Sequence, residues 1–177
     1  MYQPALWHDY FVVVGGGAAA LSGLVFVAMT LHLDDITRDP VHRHRARTIL
    51  TGLTAVFIRC SLVLMGGQNG QAVAVELIGV LLIVEAILYN SIRQAARSAD
   101  SGVLWRTIGS FACLILEQIG ALILFSGNPT GLYLVGLGMM SSFIFMVTGA
   151  WLLLVGVGAQ EAARAARAKP AAPGSGF

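Results

Sequence analysis

The fold is decided by residues 72–92, AVAVELIGVLLIVEAILYNSI. Apart from Glu76, Glu85 and the last few positions the run is continuously apolar. A helix needs about 20 such residues to cross the hydrocarbon core of a bilayer. Four further segments have the same character, at residues 10–33, 48–65, 104–125 and 131–158. Clear breaks separate them. Residues 34–47 are polar and contain Pro40, residues 66–70 read GGQNG, residues 93–102 are polar again, and residues 126–129 read SGNP. Continuous apolar runs of this length do not fit the alternating pattern of a transmembrane barrel. The expectation is an all-α, polytopic bundle of five spans forming one membrane domain over residues 1–158. Residues 159–177 are expected to prolong the last helix into the cytoplasm through an Ala-rich stretch, then to end in a disordered tail after Pro170 and Pro173.

Composition agrees with this frame. Of 177 residues, 56% are hydrophobic and 11% charged, whereas soluble domains carry about 25% charged residues. That excludes a soluble enzyme, a disordered chain and a nucleic-acid binder of the basic-patch kind. The formal charge of +2 is unevenly placed. Arg38, Arg43, Arg45 and Arg47 lie between spans one and two. Arg93, Arg97 and Arg106 lie around the break between spans three and four, and Arg164, Arg167 and Lys169 follow span five. The N-terminal segment and the two Gly/Asn turns hold no Lys or Arg. Basic loops alternating with loops free of basic residues orient a five-span chain with its N-terminus outside and its C-terminus cytoplasmic. The basic inner loops are then expected to meet anionic lipid headgroups. Residues 1–9 lack the basic start of a signal peptide, so span one is expected to remain.

Helices in lipid approach closely where side chains are small. Span one carries Gly15, Ala19 and Gly23 at four-residue spacing, widened by Gly16 and Ala20. Span five carries Gly131, Gly138, Ser142, Gly149 and Gly156 on one stripe at 3.6 residues per turn. Two readings stand for these stripes, packing within the chain and a subunit interface. Trp7, Tyr10, Tyr89, Trp105 and Tyr133 fall at span ends as interfacial anchors. Trp151 lies deeper, where its indole N–H wants a partner.

Four ionisable residues fall inside spans: Arg59, Glu76, Glu85 and Glu117. A charge at the bilayer centre costs at least ~2.5 kcal/mol, so such groups face the interior or a wet cavity. Counted at 1.5 Å per residue, Arg59 and Glu117 both lie about 2–3 Å outward of the midplane. Glu85 lies about 4–5 Å inward and Glu76 about 9 Å outward. Gly52, Ala55 and Gly66 share the face of Arg59, and Ser110, Cys113 and Ala121 that of Glu117. An Arg59–Glu117 pair is therefore expected, with Glu85 as competitor. Glu76 and Glu85 are nine residues apart, on opposite sides of a helix, so one of them is free to face a second subunit or a pore. Three carboxyls against one guanidinium leave an excess of acid. A lone buried carboxyl favours its neutral form, so the excess means neutral Glu, a bound cation, or water reaching the site. Either a static salt bridge or an ion pathway satisfies this.

Other chemistry finds little support. His32, His42 and His44 with Asp34, Asp35 and Asp39 are metal-ligating types, but no metal spacing is recognisable and the intervening Arg residues oppose a cation. Cys60 and Cys113 lie deep in spans and read as apolar fillers. No catalytic set converges at one depth, Gly15–Gly17 lacks the preceding strand of a phosphate loop, and paired haem-ligating His are missing. No enzyme, metal or cofactor is expected.

Trp7-His8-Asp9-Tyr10-Phe11, the small residues from Gly15 to Ala20, the run Leu21-Ser-Gly-Leu-Val-Phe-Val-Ala28 and Leu31-His32-Leu33 resemble a family of small, actinobacterial-type inner-membrane proteins. The resemblance covers mainly span one. It implies a multi-pass bacterial plasma-membrane protein and transfers no site residue. The functional expectation is a homo-oligomeric cation or proton channel or transporter built on Arg59, Glu76, Glu85 and Glu117. The alternative is a non-transporting subunit of a larger membrane complex.

Overall fold

A computed structural model describes residues 4–31, 33, 36, 40–95 and 101–168. Among these residues the regular structure is entirely helical. A short 3-10 turn, Pro4–Trp7, leads into α1 (His8–Leu31), followed by α2 (Pro40–Leu64), α3 (Gly70–Ala95), α4 (Ser101–Phe125) and α5 (Gly131–Ala168). Four stretches are long and apolar enough to cross a membrane: His8–Leu31, Arg45–Leu64, Gly70–Asn90 and Gly131–Gly156. The fifth, Gly109–Phe125, is a shorter apolar helix. The helix that carries it, α4, runs the 25 residues from Ser101 to Phe125. α5 continues without a break to Ala168, because its last turns are rich in Ala.

The two tight turns are built from their own sequence. After α2, Gly67 adopts φ +80°, and after α4, Gly127 adopts φ +88°, left-handed conformations open to glycine at little cost. Asn69 Oδ1 accepts the Ala72 N–H at 2.8 Å and caps the start of α3. Asn128 Oδ1 accepts the Thr130 N–H at 3.0 Å, next to the start of α5. Both turns and the N-terminal 3-10 turn sit at the same end of the bundle, called the turn end below.

Helices α2, α3, α4 and α5 form a four-membered ring, each packed on the next, and α1 packs outside it against α2 and α5. The closest approach is between α4 and α5. A Cβ at Gly120 would lie 2.7 Å from Val135 N and 2.8 Å from Gly131 O. The two backbones touch there, and only glycine fits. α1 meets α2 where a Cβ on Gly15 would fall 2.9 Å from Cys60 Cβ. At the turn end Tyr10 donates its hydroxyl to Gly136 O at 2.6 Å, and Trp7 stands edge-on to Tyr133, ring centroids 4.7 Å apart. These aromatics thus fasten α1 to α5 in addition to lying at span ends.

Two apolar clusters fill the interior. One occupies the turn half and includes Phe11, Val56, Val63, Leu77, Leu124 and Met139. The other joins α1, α2 and α5 in the opposite half, through Met29, Ile49, Leu53 and Leu153. The charged pair described next lies inside the ring, against the first cluster.

Candidate functional site: a buried ion pair at the end of a cavity

Arg59 and Glu117 are the two charged residues fully buried among the described residues, at 1% and 0% exposure. Arg59 projects from α2 across the ring, and its Nη1 donates to Glu117 Oε2 on α4 in a buried salt bridge. Arg59 Nε donates to the Ala55 carbonyl, one turn back on α2, at 3.0 Å. The other carboxylate oxygen, Oε1, accepts the Ser142 hydroxyl of α5 at 3.0 Å. Glu117 is thereby tied to two other helices, which is what lets a charge persist in a low-dielectric interior.

Glycine makes the room. A Cβ on Gly138 would collide with Glu117 Cγ and stand 3.1 Å from Cys113 O. On α2, a Cβ on Gly52 would fall 2.5 Å from Met146 Sδ. The small residues on the faces of Arg59 and Glu117 thus admit neighbouring helices and side chains.

A cavity of about 250 Å³ runs from Arg59 and Ser142, the two partners of Glu117, toward the end opposite the turns. Its polar wall includes Arg47, Thr48, Thr51, Asn90, Ser110 and Ser142. Its apolar wall comes from Val84, Ile87 and Leu88 of α3, Leu114 of α4, and Phe145 and Met146 of α5. Arg47 is exposed and stands at the mouth, while buried Arg59 closes the deep end. Twelve residues of α2 separate them, a rise of about 18 Å. The cavity is ample for water, which needs only ~10–15 Å³. Beyond Arg59, toward the turn end, Val56, Cys60, Val63 and Met139 are buried in the first apolar cluster. Access to the pair is one-sided.

The remaining expected residues sit elsewhere. Glu76 is half-buried beside the α2–α3 turn and accepts from Gln68 Nε2 at 2.7 Å through Oε1. Its Oε2, like Gln68 Oε1, is buried with no partner among the described residues. Glu85 is half-buried on α3 and forms no ion pair with Arg59. On α5, Gly131, Gly138 and Ser142 face α4, while Gly149 is buried and Gly156 half-buried. On α1, Gly15 is buried against Cys60, whereas Gly16, Ala19, Ala20 and Gly23 are exposed. Trp151 is 68% exposed on the outer surface of the bundle. Cys60 and Cys113 are free thiols, and Cys60 Sγ lies 3.8 Å from Met139 Sδ. Of the loop His and Asp residues, His32, Asp34, Asp35 and Asp39 lie outside the described residues. No group of three His, Cys, Asp or Glu suited to a metal occurs among those described.

Sequence reasoning placed Ser142 on the packing stripe but missed its hydroxyl on Glu117. Its position one turn beyond Gly138 was the available signal. Thr51 and Asn90 were also not singled out, although polar residues near the ends of adjacent spans are the usual lining of an aqueous vestibule. Comparison with known proteins finds no matching family model, no curated protein of similar sequence and no solved structure of similar fold.

Proposed function

We propose that this multi-pass membrane protein carries protons or small ions through access from one side to the Arg59–Glu117 pair. The observation that carries the reading is the cavity of about 250 Å³ that ends on Arg59 of this pair while apolar packing closes the opposite side. An open channel needs a continuous path. A cavity that stops at a mid-helix charge pair resembles one state of a carrier, with the substrate site near the middle of the membrane. The alternation of basic loops supports a cytoplasmic mouth. Arg43, Arg47 and Arg93 are exposed near that end, where anionic headgroups would meet them.

The test is proton flux in proteoliposomes under an imposed pH gradient. Wild-type protein should collapse the gradient faster than empty vesicles, and Glu117→Gln should reduce the rate at least ~10-fold, as loss of an essential proton acceptor does. Equal rates for wild type, Glu117→Gln and empty vesicles would sink the proposal.

A second reading has its own support. Gly16, Ala19, Ala20 and Gly23 form an exposed small-residue surface on α1, the kind of surface on which another transmembrane helix packs. In that reading the protein is a non-transporting subunit in a larger complex or a homo-oligomer of the bacterial plasma membrane. Crosslinking through cysteines placed at Ala19 and Gly23 would separate a second copy from a different partner.

A further inference from the structure

We infer that the cavity is a binding site for a small organic monocarboxylate, and that the carboxylate binds Arg59 as Glu117 takes up a proton. The inference deepens the carrier reading by naming the co-substrate. It rests on that reading for transport but not for binding.

The argument starts from charge. Among the described residues, the ionisable side chains that line the cavity are Arg47 at the mouth and Arg59 at the deep end, both cations. Glu117 lies behind Arg59, and both of its oxygens are already occupied, by Arg59 and Ser142. A ligand entering from the mouth therefore meets positive charge along its path and a guanidinium at the end. The buried cation requires one anionic partner, since an unpaired charge at this depth is strongly unfavourable. Glu117 now fills that role. When Glu117 is protonated, the role falls vacant, and an anion in the cavity can fill it. One proton and one monovalent anion then enter together, and the net charge of the interior does not change. Proton and anion binding must accordingly be reciprocal.

The groups facing Glu117 from every packed element fit this exchange. α1 presents Tyr10, α2 presents Arg59 and Cys60, α4 presents Cys113, and α5 presents the Ser142 hydroxyl. Glu76 and Glu85 of α3 are not paired with either member. Arg59 is thus the only permanent cation among the described groups at the deep end.

The chemical class follows from shape and lining. A guanidinium fits a carboxylate geometrically, as the bond to Glu117 itself illustrates. Val84, Leu88, Leu114, Phe145 and Met146 supply an apolar wall for the rest of the molecule. A cavity of ~150 Å³ takes benzene, so about 250 Å³ has room for benzoate or butyrate.

The test is calorimetry of benzoate binding to the full chain in nanodiscs, in two buffers of different ionisation heat, with empty nanodiscs as the partition background. Above that background, wild-type protein should take up about one proton per benzoate, and its affinity should rise about tenfold per unit fall in pH across the titrating range. Glu117→Gln should bind benzoate with no proton uptake and little pH dependence. Arg59→Gln should not bind. Leu114→Trp, which fills the cavity and leaves both charges in place, should also lose binding, and so keeps the test valid if Arg59→Gln fails to fold. The neutral isostere benzamide should bind at least tenfold more weakly. Binding without proton uptake in wild type, unchanged binding in Leu114→Trp, or no binding at any pH would overturn the inference. Proton-linked binding without flux in liposomes would keep this site and remove the carrier reading. Proton flux without benzoate binding would do the reverse.

Discussion

Arg59 and Glu117 are each buried, so removing either side chain leaves the other without its partner. Removing one member of such a pair costs on the order of 3–5 kcal/mol, whereas replacing both with apolar residues is often neutral. Arg59→Met and Glu117→Leu alone should therefore each lower the unfolding temperature sharply, and the double variant should recover most of the loss. Thermal unfolding in one detergent measures all three. A double variant as unstable as the sum of the singles would mean that the pair is not the relevant unit. The pair itself was legible in the sequence. Both residues fall at one depth when helix rise is counted from span midpoints, and small residues share their faces. The choice of Glu117 over Glu85 was also legible from depth. The third partner was not, because a serine on a glycine stripe reads as a packing residue until the register of α4 against α5 is known.

Helices α4 and α5 are held by backbone contact rather than by large side chains. Gly120 and Gly131 oppose each other, and Gly138 opens space for Glu117 one level deeper. A side chain at Gly120 would push against main-chain atoms, which cannot swing aside. Gly120→Val should destabilise the chain by about 1–3 kcal/mol or more, the usual cost of overpacking. Gly23→Val, where a new Cβ meets nothing within 4 Å, should be nearly neutral. Comparing their melting temperatures checks the contrast, and equal effects would refute the contact. Sequence alone put Gly23 and Gly131 among candidates for packing or interface, and it did not single out Gly120. It could not separate a glycine that touches a backbone from one that faces outward, because that depends on which side of α1 the ring occupies. Element ends were partly legible. The turns at residues 66–69 and 126–129 announced themselves through Gly, Asn and Pro.

The whole molecule is a ring with one dry half and one hollowed half. Its charge resolves into layers under the expected orientation: +5 on the cytoplasmic side, −2 within the membrane and −1 outside. The cavity mouth, with Arg47 and Asn90, lies on the side assigned the basic loops. Single cysteines introduced at Gln71 and Arg93, both exposed, in a background without Cys60 and Cys113, test this arrangement. In intact cells an impermeant thiol reagent should label position 71 and spare position 93. Labelling in the opposite order would invert the protein. The hollow was not legible from sequence, because it is enclosed by side chains of α2, α3, α4 and α5 whose placement appears only in three dimensions.

The length of α5 has a consequence beyond the bilayer. Its 38 residues, Gly131–Ala168, rise about 57 Å, while the hydrocarbon core is about 30 Å thick. The helix therefore reaches well past the acyl chains at the end away from the turns. A partner that grips that end holds a lever, and tilting it tilts the same rod that presents Ser142 to Glu117.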